Sequence, residues 1–221
     1  MRWIRLGLAV PLCLAALPVA AQPQIGSRLE DRPGAVRAQR NDDQVTARRV
    51  MRTYAACLVR NRSRVASEIS AATYGSEDQF RLIRRHLAGA DDCMGASGLS
   101  MSVNPATLSG ALAEVGLETR YASADLAPVT ALSDEDIGRL NLTPRNGQED
   151  LGLCVARRAP AAVRAWALTE PGSPEDNAAG RRVVPDVGPC VVQGQSLNAN
   201  LVGLRAILAA GLYRALSAVR P

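Results

Sequence analysis

The chain has 221 residues, 26 of them basic and 21 acidic, for a formal charge of +5, and every basic residue is Arg. Hydrophobic residues make up 47%, but Ala and Leu dominate them and only seven residues are aromatic, which favours helix over sheet. That apolar content excludes a wholly disordered chain, no uninterrupted apolar run reaches the ~18 residues of a membrane span, and a single histidine leaves little for metal binding or His-dependent catalysis.

The chain opens on a basic pentapeptide, Met1 to Arg5, then an apolar stretch from Leu6 to Leu17, a helix-breaking Pro18 and the small residues Val19-Ala20-Ala21. This order predicts a signal peptide over residues 1–21, cleaved after Ala21, and a periplasmic or secreted protein. Cleavage removes Arg2 and Arg5, which lowers the charge to +3, too mild a balance to argue for nucleic acid. It also removes Cys13 and leaves an even set, Cys57, Cys93, Cys154 and Cys190, which an oxidising compartment would join as disulfides. Residues 22–41 are polar with scattered Pro and Gly and read as a flexible tail.

The cysteine spacing exposes a duplication. Cys57 to Cys93 and Cys154 to Cys190 are both 36 positions apart. At an offset of 97, Arg60 meets Arg157, Gly75-Ser76 meets Gly172-Ser173, and Arg84-Arg85 meets Arg181-Arg182. After a one-residue gap, Gly98, Ser100, Asn104 and Leu108 meet Gly194, Ser196, Asn200 and Leu204. The chain therefore divides into a first unit over residues 42–118, a linker over 119–147 and a second unit over 148–221.

In chain order, the first helix carries Ala47, Val50, Tyr54, Cys57 and Leu58 on one stripe, with Leu151, Cys154 and Val155 as a shorter version in the second unit. A second helix follows with Val65 and Ile69, matched by Val163 and Trp166 behind Pro160, so Trp166 is expected in the core. The third opens on Ser76-Glu77-Asp78-Gln79, the spacing of a capping box, and on Ser173-Pro174-Glu175-Asp176 in the second unit. The last helix starts near Asn104-Pro105 with Leu108, Ala111, Leu112 and Val115, and near Asn200 with Leu204, Ile207, Leu208 and Leu212. In the linker, Ser133 to Asp136 should cap a short helix running to Leu140. No stretch alternates as a strand would. The expected fold is all-α, two tandem disulfide-stapled multi-helix units.

Four cysteines allow three pairings, and the duplication favours Cys57–Cys93 with Cys154–Cys190. Closing a loop of that length contributes about 4 kcal/mol by chain entropy.

Functional candidates are sparse. The repeated pairs Arg84-Arg85 and Arg181-Arg182 could fork onto an anion, or could simply suit the negative end of the third helix. Arg60 and Arg157 carry the same two readings. Ser76 and Ser173 read as caps rather than nucleophiles. Glu68, Asp91, Asp92, Glu114, Glu170 and Glu175 could supply a carboxylate pair for hydrolysis, without any being singled out by its setting. No catalytic, cofactor or metal residue is expected, since His86 aligns with Val183 and the cysteines lack close metal-ligand spacing.

The motif set (Cys after an apolar helix, Arg three residues on, a Gly-Ser turn, a second Cys at 36, then Gly-x-Ser, Asn and Leu) resembles a family of exported alphaproteobacterial proteins with tandem helical repeats. The resemblance covers both units but neither tail nor linker. It implies the fold unit and no chemistry. The expected role is a non-enzymatic binding module of the cell envelope whose groove between units receives an envelope protein, peptide or anionic ligand. A small secreted hydrolase using acidic residues and a passive envelope-stress or structural protein are the alternatives.

Overall fold

The computed structural model describes residues 36–87, 92, 93, 104–191 and 200–220. The expected signal peptide and residues 22–35 of the expected tail lie outside them. Among the described residues there is no strand. The first unit is built from α1 (Val36–Asn61), α2 (Ser63–Ala71), α3 (Glu77–Leu87) and α4 (Pro105–Arg120). The linker carries α5 (Ala127–Thr130) and α6 (Asp134–Arg139), and the second unit α7 (Gly147–Arg158), α8 (Pro160–Ala167), α9 (Pro174–Val187), a 3-10 turn at Gly188–Cys190 and α10 (Leu201–Val219). The fold is all-α. Helix α1 begins at Val36, within the stretch read as tail.

Local chemistry sets the boundaries. Asn104 and Asn200 cap α4 and α10, accepting from Thr107 N and Gly203 N respectively. Ser76 and Ser173 accept from the N–H groups of Gln79 and Asp176, three residues on. Gln79 does not close the expected box onto the Ser76 N–H; its Oε1 accepts from Gly75 N and its Nε2 donates to Ile69 O, which ties α3 to the end of α2. Gly75 and Gly172 have φ of +70° and +80°, a conformation that suits residues without a Cβ. Ser133 and Asp136 form a full capping box on α6, which ends one residue before Leu140.

The stripe expected on α1 is displaced. Val50 is 50% exposed and Ala47 is exposed, while Met51, Tyr54, Ala55 and Leu58 are buried. Midway along its length, α1 turns Arg48 and Arg52 inward instead, because the surface they meet is acidic rather than apolar. Arg48 Nη1 donates to Asp176 Oδ2 at 3.0 Å, and Arg52 Nη2 to Glu118 Oε2 at 3.0 Å.

Both disulfides form within units. Cys57 pairs with Cys93 and Cys154 with Cys190, at Cα separations of 5.6 and 5.7 Å, so each joins the first helix of its unit to the segment after the third. Two such bonds are compatible with an oxidising location outside the cytoplasm.

Each unit packs its first helix on its last, α1 on α4 and α7 on α10, and the last helices pack on each other. Residues at equivalent places in the duplication touch across that contact. A Cβ on Gly110 would lie 2.3 Å from Ala206 Cβ, and the Tyr121 hydroxyl reaches Ser217 Oγ at 3.4 Å. Self-contact of equivalent positions at two places along α4 and α10 defines an approximate two-fold axis, with the two helices side by side and running the same way. One core belongs to the first unit; the other gathers the second unit, Val129, Leu132 and Leu142 of the linker, and Tyr74, Ala113 and Leu117 of the first. By length and composition α10 could cross a membrane. In this fold it lies against α4, α7 and α8 with Leu204, Ile207, Leu208, Leu212 and Leu216 buried.

Candidate functional site at the junction of the units

Two polar clusters sit on either side of the α4–α10 contact. The first is built on Arg205, whose side chain is 1% exposed. Its Nε and Nη2 grip Glu114 Oε1 and Oε2 in a fork, both at 2.8 Å, and Nη1 donates to Asp176 Oδ1 at 2.7 Å. Nη2 also donates to the carbonyls of Ala167 and Thr169, both at 3.0 Å, and Nη1 to Thr169 Oγ1. Arg48 and Arg52 flank the acids, and the Trp166 indole N–H donates to Asp176 Oδ1 at 2.7 Å. Burial opposes the charge on Arg205, but Glu114 and Asp176 outweigh it and raise its pKa further. Burial pushes Asp176 upward, yet the Gly172 N–H, Arg205 and Arg48 together hold it below the usual carboxylate range. The cluster is closed and filled.

The second cluster borders a narrow, partly open cleft between α2–α4 of the first unit and α7 and α10 of the second. Its apolar wall includes Tyr74, Ala113, Leu153, Ile207 and Ala210. Its charged residues are Arg145, Glu149 and Arg214, with Gln79 and Gln148 among the neutral polar ones. Glu149 Oε1 accepts from Tyr74 N and Arg145 Nη2, and Oε2 from Arg145 N, Arg145 Nε and Arg214 Nη1, at 2.7–3.0 Å. Burial alone would raise the Glu149 pKa; Arg145, the Tyr74 and Arg145 N–H groups and Arg214 bring it below normal. Arg214 is itself lowered, by burial and by Arg145, against the pull of Glu149. Burial, helped by Glu114, pushes the Tyr74 phenol upward, so it keeps the proton it donates to Ala106 O.

One residue of the cleft wall stands apart. Ser109 is 3% exposed, and its Oγ has no hydrogen-bond partner, the sole such buried side-chain atom among the described residues. An orphaned buried hydroxyl forfeits about 1–3 kcal/mol of desolvation unless something supplies a partner.

The residues singled out from sequence lie elsewhere. Arg84 and Arg85 are exposed in the last turn of α3, with Arg84 over the Phe80 ring at 4.4 Å and 3.6 Å from Glu77. Arg181 and Arg182 are also exposed, but in the middle of α9, which continues to Val187, so the helix-end explanation does not hold for that pair. Neither pair borders the cleft. Arg157 reaches Asp134 at 3.2 Å and Arg60 is exposed at the end of α1. His86 Nε2 sits 3.1 Å from Glu68 Oε2. Trp166 is core.

Of the candidate acids, Glu114 is committed to Arg205, Glu170 to Arg49 and Glu68 to Arg64; Asp92 and Glu175 are exposed, and Asp91 lies outside the described residues. Glu68, Glu149, Glu175 and Asp176 all titrate below normal, opposite to the raised value a general acid needs. Among the described residues no three His, Cys, Asp or Glu side chains cluster as metal ligands would.

Sequence reading passed over Arg205, Arg145, Glu149, Arg214 and Ser109. One signal was available: Arg205 interrupts the apolar stripe of α10 between Leu204 and Leu208, where its counterpart in α4 is Ser109. Comparison with protein-family models, curated proteins and solved structures returns no match.

Proposed function

We propose that this is an exported binding protein of the bacterial envelope, non-enzymatic, which takes a small ligand in the cleft between its two units. The observation that carries the reading is Ser109. A buried hydroxyl without a partner, at the wall of an open cleft that also holds two guanidinium groups, is the arrangement of a site completed by something else. The disulfides and the basic-apolar-small order of residues 1–21 support export and signal cleavage after Ala21. The all-Arg, Ala-rich composition supports a GC-rich bacterial source, in keeping with the alphaproteobacterial resemblance. On this reading α10 is a core helix and no segment of the mature chain spans a membrane.

The test is a ligand-observed and methyl-labelled NMR screen of small metabolites against the oxidised protein. Hits that shift the methyls of Ala113, Leu153 and Ile207 support the reading. Hits that map to other surfaces, or turnover of a screened compound, overturn it.

A further inference from the structure

The duplication lays the cleft over the Arg205 network. At the offset of 97, Gln79 stands where Asp176 does, and Ser70 and Ala72 stand where Ala167 and Thr169 offer their carbonyls. At the offset of 96 that holds for the last helices, Ser109 stands for Arg205 and Ala210 for Glu114. The flanking ion pair is conserved in geometry with its signs exchanged: Arg52–Glu118 on one side becomes Glu149–Arg214 on the other. Arg48 and Arg145 match in charge as well as position.

Two consequences follow from this correspondence. The first is steric. On one side a guanidinium on a three-methylene stem fills the space; on the other Ser109 stops at its hydroxyl, and the space lines the cleft. The second is electrostatic. The filled site balances Arg48, Arg52 and Arg205 against Glu114, Glu118 and Asp176. The open site has Arg145 and Arg214 against Glu149 alone, an excess of one positive charge in a half-buried, largely apolar setting. What is missing is one negative charge, an acceptor for the Ser109 hydroxyl and a short hydrocarbon body.

We propose that the cleft binds the carboxylate of a short-chain organic acid, with Ser109 donating its hydroxyl hydrogen, Arg145 and Arg214 supplying the opposing charge, and Leu153 and Ile207 covering the hydrocarbon. This rests on the cleft being the ligand site. It makes Ser109 the residue that decides occupancy: Arg at the matching place in the other unit makes that pocket self-filling, and Ser leaves this one for an outside molecule.

Calorimetric titration of the full oxidised protein with valerate, pentanol and pentylamine tests it. Valerate should bind, with the alcohol and the amine weaker by about tenfold or more. S109A, which keeps the space and removes the donor, should weaken valerate about tenfold, and S109M, which fills the space without charge, should abolish binding. An independent measurement needs no ligand: S109E, which tethers a carboxylate in the cleft, should melt above S109Q of the same shape. Equal or tighter binding of pentylamine or pentanol, no binding of valerate, or S109E melting at or below S109Q overturns the carboxylate assignment. If pentylamine or pentanol binds and S109M abolishes it, the cleft remains the ligand site and only its chemistry was misassigned. If every hit maps away from the cleft methyls, both conclusions fall.

Discussion

Replacing Arg205 with Met probes the junction directly. The change keeps most of the side-chain volume and removes a buried cation that holds Glu114 through two hydrogen bonds and Asp176 through one, all at 2.7–2.8 Å. Truncating one partner of a buried ion pair costs about 3–5 kcal/mol, because the remaining charge is left without compensation. Arg48 and Arg52 still reach Asp176 and Glu114, so the lower end, about 3 kcal/mol, is expected at pH 7. For a chain of this size that is a fall in Tm of about 6–12 °C. Urea denaturation and calorimetry at pH 7 and at acid pH separate this cause from a packing defect. Asp176 titrates below its ordinary value in the native protein, so its contribution is complete above the unfolded value near ~4 and is lost as pH falls through the lower native one. Without Arg205 the native value rises, and protonation relieves the stranded charge. The stability gap between R205M and the parent should therefore narrow below about pH 4, and adding E114Q and D176N to R205M should recover part of the loss at pH 7. A deficit under about 1 kcal/mol at pH 7, or one that is unchanged in acid, would refute the assignment of junction stability to this network.

Further outcomes follow from other parts of the fold. Replacing Cys57 and Cys93 by Ala, or Cys154 and Cys190, should each cost about 4 kcal/mol in chemical denaturation, and peptide mapping without reductant should return both within-unit links and no crossed pair. Gly211→Ala should destabilise by about 1–3 kcal/mol, since its Cβ would lie 2.3 Å from the Gly152 carbonyl carbon and only separation of α7 from α10 relieves the contact; Gly138→Ala, with nothing within 4 Å, should be neutral or stabilising by about 0.5–1 kcal/mol. Glu149 is lowered in the native state, so its share of stability is present above the ordinary carboxylate value and lost as pH falls below it; E149Q should flatten the acid limb of a Tm-against-pH profile.

The duplication, the caps and the disulfide pairing were legible because each is a local or arithmetical signal. Ser173 three residues before Asp176, Asn200 before Leu201 and a 36-position spacing need no knowledge of what packs where. The junction was not legible for the complementary reason. Arg48 and Arg52 turn inward only because Asp176 and Glu114, 128 and 62 residues on, come to face them. Periodicity therefore placed the α1 stripe on Ala47 and Val50, which the fold leaves exposed. Arg84-Arg85 and Arg181-Arg182 drew notice as repeated charge, yet repetition marks what the two units share. The cleft lies where they differ, at Ser109 against Arg205 and Gln79 against Asp176, and an alignment read for its identities passes over those columns.

The side-by-side pairing of α4 and α10 also sets an order of events in synthesis. The face of α4 that carries Glu114 leaves the ribosome more than 80 residues before the helix that covers it. All four bridged cysteines precede Leu201, so neither crosslink needs α10, and closing the sulfur bridges and docking the seam are separable milestones.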